Sequence, residues 1–129
     1  MVLVVDEDLG FVCWLGRLLA DAGYSSLPAL SCPEALSRVR LLGIKPDAVI
    51  ADPALPNFHR MIHTLARAHA HMRLIAVRSP GQNIPPNLHP SVTLDRPLAE
   101  PESTSEWLRR IEQAFHDLPR LALKATNKR

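Results

Sequence analysis

Three carboxylates and two guanidinium groups stand at the ends of short apolar runs, where they could do chemistry together. Asp6 and Glu7 follow Val2 to Val5, and Asp52 closes the run Ala48-Val49-Ile50-Ala51. Arg78 follows Leu74 to Val77, and Arg96 comes just after Ser91 to Leu94. Three carboxylates in one crevice repel one another, so something positive must neutralise them. The two candidates are a hard divalent cation such as Mg²⁺, which takes oxygen ligands, and the cations of the chain itself. Arginine suits the second role because its planar fork pairs bidentately with carboxylates. Other reactive side chains are less organised. His59 and His63 lie four apart with His69 and His71 beyond, but no acid or cysteine accompanies them, so they read as a solvated helix face and not a zinc site. Cys13 and Cys32 form no CxxC pair and read as packed or idle reduced thiols. Trp14 and Trp107 read as packing residues.

The elements that must position these groups follow from hydrophobic period. Val2 to Val5 and Asp47 to Asp52 are continuous apolar runs ending in acids, the mark of strands buried on both faces. Ser26 to Leu30 is a weaker strand, because Pro28 interrupts it. Leu74 to Val77 and Ser91 to Leu94 supply a fourth and a fifth strand. Phe11, Leu15, Leu18, Leu19 and Ala22 recur at helical spacing up to Gly23. A second helix opens on the capping box Ser31-Cys32-Pro33-Glu34, carries Ala35, Leu36, Val39 and Leu42 inward, and stops at Gly43. A third starts near Pro56 or Asn57, runs to about His71, and buries Phe58, Met61, Ile62 and Leu65. The last begins near Ser103 at a second capping box, Ser103-Thr104-Ser105-Glu106. Trp107, Leu108, Ile111, Phe115 and Leu118 form its inward face, and Pro119 ends it. Six of the twelve prolines fall between Pro80 and Pro101, so residues 79–90 are expected to lack a regular helix.

Strands alternating with helices at this spacing require right-handed crossovers and a parallel sheet covered on both faces. The expected fold is a flavodoxin-like, doubly wound, five-stranded α/β sandwich of three layers, its fourth helix replaced by a proline-rich loop. Sites in such sheets form outside the carboxyl ends of the strands, which brings Asp6, Glu7 and Asp52 to one crevice. Residues 1–118 are read as one domain and 119–129 as a basic, frayed tail.

Two segments, Val2-Leu-Val-Val-Asp-Glu-Asp8 and Pro46-Asp-Ala-Val-Ile-Ala-Asp-Pro-Ala-Leu-Pro56, resemble the receiver domains of two-component response regulators. The resemblance extends over roughly residues 2 to 117. It implies that Asp6 and Glu7 form the acid pair that binds Mg²⁺, with the carbonyl of Ala54 as a backbone ligand. Asp52 matches the aspartate that attacks phosphorus and takes a phosphoryl group from a histidine kinase or phosphotransfer protein. Pro56 matches a proline common just after it. Mg²⁺ would then stabilise the charge on the equatorial oxygens. The chain departs from the pattern at several places. Arg78 falls at the position of a Thr or Ser, with Ser79 taking it if the register slips by one. Arg96-Pro97 replaces Lys-Pro, so a fork replaces a point charge on a flexible stem. Asn57-Phe58-His59-Arg60 stands where an Asp-Gly pair is usual, and the fourth helix is missing from the face that reads out phosphorylation. With Arg78 and Arg96 together set against three carboxylates, the crevice is expected to be nearly neutral without metal. Mg²⁺ binding and phosphorylation would then be weak.

Composition excludes several other classes. The 129 residues suit one domain with a real core. Fifteen Lys and Arg against thirteen Asp and Glu leave +2, too little to argue for nucleic acid or an anionic membrane. Lys124, Lys128 and Arg129 add too few charges to change that. No apolar run approaches the length of a membrane span, and the first residues lack a basic, then apolar, signal pattern. The reading is a stand-alone, cytoplasmic, non-enzymatic signalling domain whose output passes through a downstream protein partner or a homodimer. The rival within signalling is a pseudo-receiver that binds its partner constitutively and takes no phosphoryl group. The rival from another class is a small nucleotide-binding α/β protein, opposed by the absence of a Gly-rich phosphate loop after the first strand.

Overall fold

The structure is a computed structural model that describes residues 1–79, 81–86, 88, 90, 92–96 and 100–116. Strand β1 is Val2–Val5, α1 Leu9–Asp21, β2 Ser26–Ala29, α2 Cys32–Leu42, β3 Ala48–Ala51, α3 Phe58–Ala68, β4 Arg73–Arg78, β5 Val92–Asp95 and α4 Glu100–His116. The five strands form one sheet in the order β2-β1-β3-β4-β5, every pair parallel. This is the flavodoxin-like topology expected from the sequence. Its switch point, where successive connections leave in opposite directions, lies between β1 and β3.

The three central strands, β1, β3 and β4, feed two cores because their side chains alternate between faces. Val2, Val4, Ile50, Ile75, Val77 and Leu94 pack with Phe11, Leu15, Leu19, Trp107, Ile111 and Phe115 of α1 and α4. Leu3, Val5, Val49, Ala51 and Leu74 pack on the other face with Cys32, Ala35, Phe58, Met61 and Leu65 of α2 and α3. Helices thus cover both faces, as a parallel sheet demands.

The weak second strand is real, and its position explains Pro28. Among the described residues, β2 is an edge strand bonded only to β1. The carbonyls of Ser25 and Ala29 accept from the N–H groups of Val2 and Asp6. The two-residue period therefore turns the backbone groups of Pro28 outward, where a missing N–H costs no ladder bond.

Helix boundaries depart from expectation in three places. α3 ends at Ala68 and not near His71, because the chain must reverse for the Arg73 N–H to reach the Asp47 carbonyl at 3.0 Å and open β4. α4 starts at Glu100, ahead of Ser103, so Pro101 sits in its first turn, where a helix loses nothing by lacking a donor. Leu42, expected inward on α2, is 60% exposed at the last turn before Gly43. Among the described residues of 79–90 there is no helix, as the prolines require. Leu118, Pro119, the basic tail and the limit at 118 lie outside the described residues.

Candidate functional site

Asp6 leaves the end of β1 fully inside the molecule, 2% exposed. Its burial is supported on both oxygens. Oδ1 accepts the N–H of Asp8 at 2.9 Å, and Oδ2 receives Nη2 of Arg96 at 2.5 Å. The Asp8 side chain caps α1, accepting the N–H of Phe11. Glu7, between them, is exposed.

Asp52 leaves the end of β3, next to β1 in the sheet. Its Oδ1 accepts the Ala54 N–H at 2.8 Å and Nε2 of Gln82 at 3.1 Å, while Oδ2 lies 3.6 Å from Nη2 of Arg96. One guanidinium nitrogen therefore faces both acids. Gln82 is held for this contact by the Ser79 N–H, which donates to its Oε1 at 2.9 Å. Asp6, Glu7, Asp8, Asp52, Ala54, Leu55, Pro56, Ser79 and Arg96 line a single cleft of about 280 Å³.

Arg96 is placed by two contacts beyond its ion pairs. Its own N–H donates to the Arg78 carbonyl at 2.8 Å, continuing the β4–β5 ladder. Its guanidinium lies 4.6 Å above the Phe11 ring, and its side chain is 24% exposed. Phe11 in turn touches Trp14 and Trp107, with ring centroids 5.9 and 5.5 Å away. Nη1 of Arg96 is buried without a hydrogen-bond partner among the described residues.

The expectation that Arg78 joins Arg96 in the crevice is corrected. Arg78 ends β4, where side-chain alternation turns it from the face of Val77 to that of Ala76, and its Nε pairs with Oδ1 of Asp95 at 2.6 Å. Ser79, one residue on, is the one that lines the cleft. Two residues of the site had no sequence signal as such. Gln82 lies in the proline-rich loop just after Gly81, whose φ of 82° sets a turn but announces no contact. Phe11 reads only as a core position of α1. His59 and His63 are both exposed, as read, on α3.

The donor set is one that a hard cation could use, yet its arrangement does not fit Mg²⁺. Both Asp6 oxygens and Oδ1 of Asp52 already accept hydrogen bonds, and the remaining oxygen faces Arg96, while Glu7 lines the cleft from an exposed position. Among the described residues no three His, Cys, Asp or Glu side chains are grouped to hold a metal ion. The guanidinium stands on the oxygens that a cation would need.

The fold has many counterparts among solved structures. A response regulator receiver domain protein from Clostridium thermocellum is 20% identical, with 89% of this chain and 93% of that one aligned at a TM-score of 0.66. A CheY-like receiver domain protein from Methanospirillum hungatei is 15% identical, with coverages of 90% and 96% and a TM-score of 0.66. A chemotaxis response regulator of Vibrio cholerae is 21% identical, with coverages of 85% and 96% and a TM-score of 0.63. No protein-family model matches the sequence, and no curated protein matches it. The chain therefore has the fold of response-regulator receiver domains, along nearly the whole length of these counterparts. Among the described residues, no helix is long and apolar enough to cross a membrane.

Proposed function

We propose that this protein is an atypical receiver module of two-component signalling, with Asp52 as its phosphoryl acceptor. It acts in the cytoplasm, not as an enzyme but through protein contacts. A histidine kinase or phosphotransfer protein stands upstream and a protein partner downstream. The observation that carries this reading is the pairing of Asp52 with Arg96 across the cleft at the sheet's switch point, 3.6 Å apart. Oδ2 is the Asp52 oxygen that accepts no hydrogen bond from Ala54 or Gln82, so its lone pairs are the ones open to attack phosphorus. The new P–O bond forms as the bond to the donor breaks, and the donor group leaves with that electron pair. The transferred group then carries its charge next to Arg96, whose Nη1 has no hydrogen-bond partner among the described residues, and beside Ser79 on the cleft wall. An arginine fork is suited to such oxygens.

The second reading is a module that binds its partner without phosphorylation. It is favoured by one observation, the ion pairs that already satisfy the crevice. Intact mass after incubation with acetyl phosphate separates the two, in parallel on the wild type and Asp52→Asn, with and without Mg²⁺. A single phosphoryl adduct on the wild type and none on the variant is expected. An unmodified wild type under acetyl phosphate and under a phosphorylated histidine donor protein favours the second reading.

A further inference from the structure

The mismatch between this crevice and a divalent cation carries a positive statement about Arg96. We infer that Arg96 is a built-in counter-cation that stands in the place of a metal ion, so that the chain neutralises its own acid pair. Its Nη2 lies 2.5 Å from Asp6 and 3.6 Å from Asp52, the two carboxylates that converge on the cleft. The Oδ1 atoms of Asp6 and Asp52 accept from the N–H groups of Asp8 and Ala54 and from the amide of Gln82. The guanidinium is not a loose surface group that a cation could brush aside. It is seated over Phe11, and its backbone is tied to Arg78 at the end of β5. A cation entering between the carboxylates would have to displace it, leaving a half-buried positive group against an aromatic ring without its partners. Loss of its ion pairs is what makes such displacement costly. The third acid, Glu7, lines the cleft from an exposed position, and among the described residues no three acids are grouped to hold a cation.

This inference deepens the receiver reading but does not need phosphoryl transfer, so either can fail while the other stands. The test is thermal unfolding of the wild type, Arg96→Met and Arg96→Met/Asp6→Asn, titrated with MgCl₂ against NaCl of equal ionic strength. The wild type is expected to show no Mg²⁺ shift beyond the NaCl control. Arg96→Met, with two carboxylates facing each other uncompensated, is expected to lose Tm and to recover about half of the loss or more with Mg²⁺, as a ligand that binds only the folded state must stabilise it. The double variant is expected to lose that recovery. A specific Mg²⁺ shift of the wild type, or an Arg96→Met protein indifferent to Mg²⁺, overturns the inference. Should Arg96→Met fail to fold, Mn²⁺ line broadening in amide spectra of the intact wild type decides it. Unbroadened signals around Asp6 and Asp52 at millimolar Mn²⁺ support the built-in cation, and selective broadening there overturns it.

Discussion

Arg78 and Arg96 end neighbouring strands and carry the same charged group, but their surroundings give them unequal weight. Arg78 pairs with Asp95 where the two side chains are 40% and 65% exposed. Solvent screens that pair, so Arg78→Ala is expected to cost less than about 1 kcal/mol. Asp6 is buried against Arg96, and removing its charge strands the guanidinium. Asp6→Ala is expected to cost about 3 kcal/mol, the lower end for a broken buried pair because Arg96 keeps some solvent contact. Urea unfolding of both variants checks the contrast, and equal losses would refute this account of the site. The convergence of Asp6 and Asp52 was legible in the sequence, since acids at the ends of buried parallel strands have one place to go. The direction of Arg78 was not. Leu74, Ile75, Ala76 and Val77 are all buried, so a run apolar on both faces holds no parity from which to read which face the next residue takes. The reach of Gln82 to Asp52 was invisible for a different reason. A loop has no period, and contacts across it depend on backbone turns that residue types do not specify.

At the scale of elements, α2 shows how far local signals go. Ser31 caps the helix by accepting the Glu34 N–H at 3.2 Å, and the Glu34 carboxylate reaches back to the Leu30 N–H. The capping box was read from four residues, and the structure moves its return bond one residue earlier, to Leu30. Ser31→Ala is expected to cost about 1 kcal/mol in chemical unfolding. The hydrogen bond from the Leu30 backbone, followed by the contribution of Arg38, holds the Glu34 carboxyl below its ordinary value of 4.5. A carboxyl lowered by folding stabilises the fold above its unfolded value, and that contribution disappears as pH falls through the lowered one. The difference in stability between wild type and Glu34→Gln should therefore be constant near neutrality and shrink in acid below about pH 4.5. Unfolding midpoints across pH 3 to 7 test the sign, and a difference that grows in acid would contradict it. The ends of α3 and α4 were harder to read than the start of α2. Ala66 to His71 contains no glycine or proline to stop a helix, so only the demand of β4 for a partner on β3 ends α3. At α4 the serine-rich box drew the boundary inward, although Pro101 is itself a good first-turn residue.

At the scale of the molecule, the cleft and the α1–α4 face are joined through one aromatic ring. Arg96 lies over Phe11, Phe11 meets Trp107 edge-on at 5.5 Å, and Trp14 meets Trp107 at 5.4 Å. All three rings belong to helices on the same side of the sheet, so a change in the cleft need not cross the sheet to reach that face. A phosphoryl group on Asp52 would add charge beside Arg96 and compete with Asp6 and the Phe11 ring for its guanidinium. Loss of the cation over Phe11 alters the field at both indoles, whose emission responds to nearby charge. Arg96→Met is therefore expected to change tryptophan emission while the far-ultraviolet circular dichroism stays that of the wild type. Phosphorylation, followed in the same sample by intact mass, should change emission in the same direction. Phe11→Leu keeps an apolar side chain of similar reach but removes the π face that holds the guanidinium. In that background the emission change on phosphorylation should shrink while the mass adduct persists. An adduct that leaves wild-type emission unaltered would show that the cleft and this face are not coupled through Phe11. A response undiminished in Phe11→Leu would place the coupling in the backbone link between Arg96 and Arg78 instead.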